Sequence, residues 1–187
     1  MQNVNNWKNK RPKQFYKKAI NFLGKPTFVA NVPNGMVYWK KTGNTLFDEH
    51  YIKDQEISHC VPAKHHDFFY SSIKCYVPPE LRLDVLSISG SINYDGLTKL
   101  LTARCASIEA NIATLYLGMC VANSKMSIKN VKKKGLYGKY IRGEMEKHNK
   151  LKQLMMTMKK ENNQKYKKEI SRDFDPLAFT LNDCINS

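Results

Sequence analysis

A chain of 187 residues with 31 Lys+Arg against 16 Asp+Glu, a formal charge of +15, has the length of one domain or of one compact core with extensions. Its 42% hydrophobic and 11% aromatic content is enough to build a core, which excludes global disorder. The longest apolar run, Ile112 to Ala122, is too short for a bilayer span of ~18 residues, and the basic, polar N-terminus lacks the apolar stretch of a secretory signal.

The charge is unevenly placed. Residues 1–25 carry +7, residues 26–124 carry −1, residues 125–172 carry +12 and residues 173–187 carry −3. This division predicts a basic arm over 1–25, a folded core over 26–124, a basic helical extension over 125–172 and a short acidic–apolar tail over 173–187. The arm and the chain beyond Lys160 have too little apolar surface to offset their ordering entropy, so both are expected to order only on binding.

In chain order, Thr27–Val32 and Met36–Lys41 read as two strands joined through Pro33-Asn34-Gly35, with the glycine supplying a positive φ. Glu56–Val61 and Asp67–Val77 are further strands. In the second, Phe69, Ile73, Cys75 and Val77 share one face, opposite Phe68, Tyr70, Lys74 and Tyr76. Pro79 suits the start of a short helix carrying Leu81, Val85 and Leu86, although Val85–Ser89 reads equally as a strand. Asp95 then reads as the N-cap of a helix to Ala122, with Leu97, Leu101, Cys105, Ile108, Ile112, Leu115 and Met119 at spacings of three and four. Such a helix has ~27 residues and a length of ~40 Å. Gly135, Gly138 and Gly143 interrupt the basic segment that follows, after which Ile141, Met145, His148, Leu151, Met155 and Met158 resume helical spacing. The fold class predicted is α+β: a small, mostly antiparallel sheet packed by a long central helix, with a basic N-terminal arm and a basic C-terminal helix.

The basic arms carry the strongest functional signal, because clustered lysines neutralise phosphates without reading sequence. The candidate nucleic-acid contacts are Lys8, Lys10, Arg11, Lys13, Lys17 and Lys18 in the first arm, and Lys132, Lys133, Lys134, Lys139 and Arg142 in the second. Tyr137 and Tyr140 lie among the latter and are suited to stacking on single-stranded bases. With 26 Lys and 5 Arg, the composition does not favour base-specific recognition. Acidic protein surfaces would satisfy the same charges.

The metal-ligand candidates are His59, Cys60, His65 and His66. Their spacing does not match the paired ligands of common zinc modules, so no metal or other cofactor is expected. No phosphate-binding loop, nucleophile elbow or zinc-protease motif occurs, and no carboxylate pair has a spacing that fixes catalytic geometry. The five cysteines, an odd number with no C-x-x-C, point to a reducing compartment: cytoplasm, nucleus or the interior of a virion.

The blocks PNGMVYWKK, HCVPAKHHDFFYSSIKCYVPPE and SISGSINYDGLTKLLTARC, within residues 33–105, resemble uncharacterised and virion proteins of large double-stranded DNA viruses. The resemblance implies a small structural or genome-associated component of a virus particle, and it assigns a role to no residue. The function expected is therefore that of a non-enzymatic basic structural protein, whose arms bind nucleic acid or acidic partner surfaces in a larger assembly. The alternatives are a cement protein that touches only protein, and a metal-dependent enzyme built on the His/Cys cluster.

Overall fold

The computed structural model describes residues 3–40, 46–59, 64–133, 153, 155–162 and 164, with the backbone alone at His59. It is an α+β fold. Six antiparallel strands lie in the order β1-β2-β3-β4-β6-β5: β1 Phe28–Val29, β2 Met36–Lys40, β3 Glu49–His59, β4 His65–Lys74, β5 Ile92–Asp95 and β6 Leu100–Cys105. The helices are α1 Lys10–Leu23, α2 Arg82–Leu86 (preceded by a 3-10 turn at Pro79–Leu81), α3 Ile108–Ala122 and α4 Ile128–Lys133. Residues 155–162 are also helical, and no described helix is long and apolar enough to cross a membrane.

One face of the sheet is a continuous buried row, mostly apolar, because strand alternation places every second residue on it. Register aligns Val37, Ile52 and Phe69, and beside them Trp39, His50, Ser71, Ala103 and Ile92. Two buried clusters cover this row. Val4, Trp7, Tyr16 and Ala19 pack on the β2–β3 side, and α3 packs with Ile73, Leu101 and Ile92 on the β4–β6–β5 side. On the opposite face, Tyr51 stacks on Tyr70 with ring centroids 4.3 Å apart, and the Lys53 ammonium lies 5.4 Å from the Tyr70 ring.

Helix α3 is apolar all round, and every residue from Ala110 to Ala122 is buried. Ser107 caps it, its hydroxyl accepting the Ala110 N–H at 3.1 Å. A methyl at Gly118 would lie 2.9 Å from Leu101 Cδ2 and 3.0 Å from Ile92 Cδ1, so glycine sets how closely α3 approaches the β5–β6 hairpin. Inside this contact, the Asn111 amide donates to Ser71 Oγ at 3.0 Å and to the Phe69 carbonyl at 3.3 Å.

Four expectations are corrected. The helix expected from Asp95 to Ala122 is a β-hairpin followed by the 15 residues of α3. Leu101 and Cys105 satisfy helical spacing, but four residues are also two strand repeats, so the same pattern fits β6. Asp95 does cap backbone N–H groups, those of Leu97 and Thr98, but it closes a turn that passes through Lys99 at φ 57. In the first hairpin the positive φ belongs to Asn34, at 59°. Gly35 is required for space, because a Cβ there would meet the Ala30 carbonyl oxygen at 2.1 Å.

The arm expected over residues 1–25 is not free in its described part. Trp7 is buried and donates its indole N–H to the Ala30 carbonyl at 2.9 Å, and α1 lies on the sheet through Pro12, Tyr16 and Ala19. Charge arithmetic missed this because it ignores the apolar positions interleaved with the basic ones: Tyr16 and Ala19, with Phe15, Ile20 and Leu23 beside them, dock the helix while its lysines stay at the surface. Nor does the expectation for the chain beyond Lys160 hold in its described part, because the helix of residues 155–162 runs past that point and docks. Lys159 is 8% exposed and Asn162 2% exposed. Lys159 Nζ reaches Asp48 Oδ2 at 2.5 Å, and the Asn162 amide both accepts from the Tyr76 N–H at 2.7 Å and donates to its carbonyl at 3.0 Å.

Candidate functional site

Helix α1 is basic in its first turn, where the macrodipole disfavours cations, and Asn9 at its N-cap makes no side-chain bond to the helix. A carboxylate from the sheet compensates. Between Ile52 and Ile57 the β3–β4 register shifts, and the buried Asp54 in this bulge reaches the start of α1. Its carboxylate accepts the Lys8 N–H at 2.7 Å, the Asn9 N–H at 2.8 Å and the Asn34 N–H at 3.0 Å. Burial pushes the Asp54 carboxyl up, but the Asn9, Lys8 and Asn34 N–H groups and the Asn9 amide outweigh it, and the net shift is downward. At the other end Gly24 terminates the helix at φ 77, its N–H bonded to the Ile20 carbonyl at 2.8 Å.

Fixed in this way, α1 forms one wall of a groove of about 960 Å³. Lys10, Lys13 or Gln14, Lys17 and Asn21 recur at one-turn intervals along that wall, and Lys25 follows the helix end. Asn3 and Asn5 also line it, and Val4, Tyr16, Ile20 and Pro26 supply its apolar surface. No carboxylate occurs among the described lining residues. Lys13 Nζ is held by the Asn5 carbonyl at 2.9 Å, so at least one ammonium is oriented by the protein.

The other candidate contacts separate from this groove. Lys8, Arg11 and Lys18 are exposed outside its lining, and Arg11 pairs with Glu56 at 3.4 Å. Lys132 and Lys133 are exposed at the end of α4. Lys134, Tyr137, Lys139, Tyr140, Arg142 and Cys60 lie outside the described residues. His59 pairs through its backbone with His65, while His66 Nδ1 lies 3.6 Å from Glu56 Oε2.

Of the four metal candidates, only His65 and His66 have their side chains among the described residues, and these two face different partners. His65 instead meets Asp67, with Nε2 3.1 Å from Oδ1, beside Cys105 of β6. Sequence reasoning missed this trio because it placed Cys105 in a helix. The legible signal was His65-x-Asp67, which puts two ligand-type side chains on one side of a strand. Elsewhere, His50 Nδ1 lies 3.0 Å from Ser71 Oγ, but both residues are buried and line neither described pocket. That pair is core packing, not a nucleophile with its base.

Comparison with protein-family models, with curated proteins and with solved structures yields no match to this chain. The groove and the histidine–cysteine region thus rest on their own geometry.

Proposed function

We propose that this protein is a non-enzymatic basic structural component that binds single-stranded nucleic acid, without sequence selectivity, through the groove beside α1. The observation that supports this most directly is the convergence of Lys10, Lys13, Lys17 and Lys25 on one groove with no described carboxylate in its lining. Ammonium groups along a groove track a phosphate backbone, and the apolar surface between them, to which Ile20 contributes, suits the faces of unpaired bases. The larger assembly in which this operates is, by the resemblance of residues 33–105, a virus particle.

The test is binding of a labelled single-stranded oligonucleotide over a salt series. Four neutralised phosphates give a log–log slope of about −3 for a single strand. Replacing the four groove lysines with glutamine should flatten that slope, and equal affinity at low and high salt would refute the proposal. A second reading is supported by the apolar floor of Val4, Ile20 and Pro26, which also fits an acidic–apolar segment of a neighbouring protein. In that case oligonucleotides fail to bind, while a partner isolated from the native assembly is lost with the same four substitutions.

A further inference from the structure

We propose that His65, Asp67 and Cys105 form a metal site for a zinc-like divalent ion. One ligand-type atom from each residue, the His65 imidazole nitrogen, the Asp67 carboxylate oxygen and Cys105 Sγ, lies within 4.8 Å of the other two. Tetrahedral ligands at zinc bond lengths are ~3.3–3.8 Å apart, so small side-chain rotations bring the trio to bonding positions. The 3.1 Å separation of His65 Nε2 and Asp67 Oδ1 is already close to that of two ligands on a shared ion. A thiolate and an imidazole beside one carboxylate favour zinc over the all-oxygen cations magnesium and calcium.

The backbone explains why these residues meet. His65 and Asp67 are two apart in β4 and so project to the same side of the strand. Cys105 ends β6 opposite Phe69, the residue two beyond Asp67 on the neighbouring strand. Groups around the trio orient it as outer partners orient metal ligands. Ser91 Oγ and Arg104 Nε hold Asp67 Oδ2 at 3.2 and 3.3 Å, which turns Oδ1 toward His65.

Asp67 is fully buried, while the His65 side chain is 26% exposed and Cys105 is half-buried. Three protein ligands with one side toward solvent leave a fourth position for water or a further group. The trio shares no residue with the α1 groove, so the two proposals stand or fall separately. The ordinary alternative is a His65–Asp67 ion pair with a thiol beside it.

The test is a cobalt(II) titration of the full, untagged chain after metal is stripped with a chelator. The expected result is one saturable equivalent with a thiolate-to-cobalt absorption band in the near ultraviolet. Cys105→Ser should abolish the band, His65→Ala should weaken binding at least ~100-fold, and Arg104→Gln should weaken it about tenfold. Circular dichroism confirms the fold of each variant, and the partly exposed His65 gives a readout even if the Cys105 variant fails to fold. No saturable binding by the folded wild-type chain would overturn the proposal. So would a band that survives Cys105→Ser, or one that is lost with Cys60→Ser instead.

Discussion

Asp54 and Asn9, 45 positions apart, are joined by three contacts: the Asn9 N–H donates to Oδ1 at 2.8 Å, and its amide donates to the Asp54 carbonyl at 2.9 Å and to Oδ1 at 3.1 Å. A bulge in β3 thus holds the start of α1, and with it the basic wall of the groove. Asp54→Ala leaves the Lys8, Asn9 and Asn34 N–H groups without their carboxylate, and unfolding free energy is expected to fall by on the order of 3 kcal/mol. Hydrogen exchange should accelerate first in residues 8–23, with the β4–β6 pairing protected. Uniform acceleration across both regions would show that Asp54 does not act locally on the helix.

The groove lysines should behave differently from equally exposed lysines elsewhere. Lys17→Glu places a carboxylate in the basic wall, whereas Lys132→Glu changes the net charge by the same amount at the end of α4. Oligonucleotide affinity should fall about tenfold or more for the first and by less than about threefold for the second. Equal losses would mean that total charge, and not the groove, governs binding.

These two proposals also show what could be read from the sequence. The antiparallel sheet was legible because Met36–Lys40 and residues 69–77 alternate, and because Pro33 and Asn34 mark a turn. The hairpin of β5 and β6 was not, since Leu97, Leu101 and Cys105 sit at four-residue intervals that both periods satisfy. Nor was the docking of α1 legible, because its partner is a carboxylate 45 positions away and charge counting treats Lys10 and Pro12 as parts of one basic run. Of the groove lysines, Lys10, Lys13 and Lys17 were among the candidates read from the charge, while Lys25 was not, and their separation from Lys8, Arg11 and Lys18 depends on helical phase relative to the sheet. Asp67 and Cys105 could not be paired with His65 until β4 and β6 were neighbours.

His50 gives the fold a pH dependence. It stacks on Phe69 with the rings 10° from parallel and centroids 5.5 Å apart, and it lies 4.5 Å from the Phe47 ring. Burial lowers its pKa from 6.5 to about 4, against a smaller upward pull from a hydrogen bond with the Tyr70 backbone. Between those values the unfolded chain binds a proton that the folded chain does not, so stability rises with pH through this window and falls on acidification. The loss from pH 7 to pH 4 should approach ~3 kcal/mol. In chemical denaturation series His50→Gln should remove most of that slope. The lowered Asp54 carboxyl contributes stability above the ordinary carboxylate range and loses it further into acid, so the variant should retain an acid limb at lower pH. An unchanged slope between pH 7 and 4 in His50→Gln would mean that another group carries the transition.

Docking of residues 155–162 can be tested through Cys75, which is 1% exposed and whose pKa burial raises to about 12, against an opposing effect of the Lys159 charge. Lys159 donates to the Leu46 carbonyl at 2.9 Å and to Asp48, and Asn162 pairs with both backbone groups of Tyr76, the residue after Cys75. Asn162→Ala removes the side-chain partner of both the Tyr76 N–H and the Tyr76 C=O, and Lys159→Met leaves Asp48 without its ammonium. Each should cost about 2–4 kcal/mol. Adding Asp48→Asn to Lys159→Met should recover part of the loss, because the partly buried charge left behind is then removed. In a background without the other cysteines, labelling of Cys75 by a thiol reagent should be slow in the parent and at least tenfold faster in Asn162→Ala. Unchanged labelling, with the same loss of stability, would place the barrier to Cys75 in the sheet and α3 and not in the C-terminal helix.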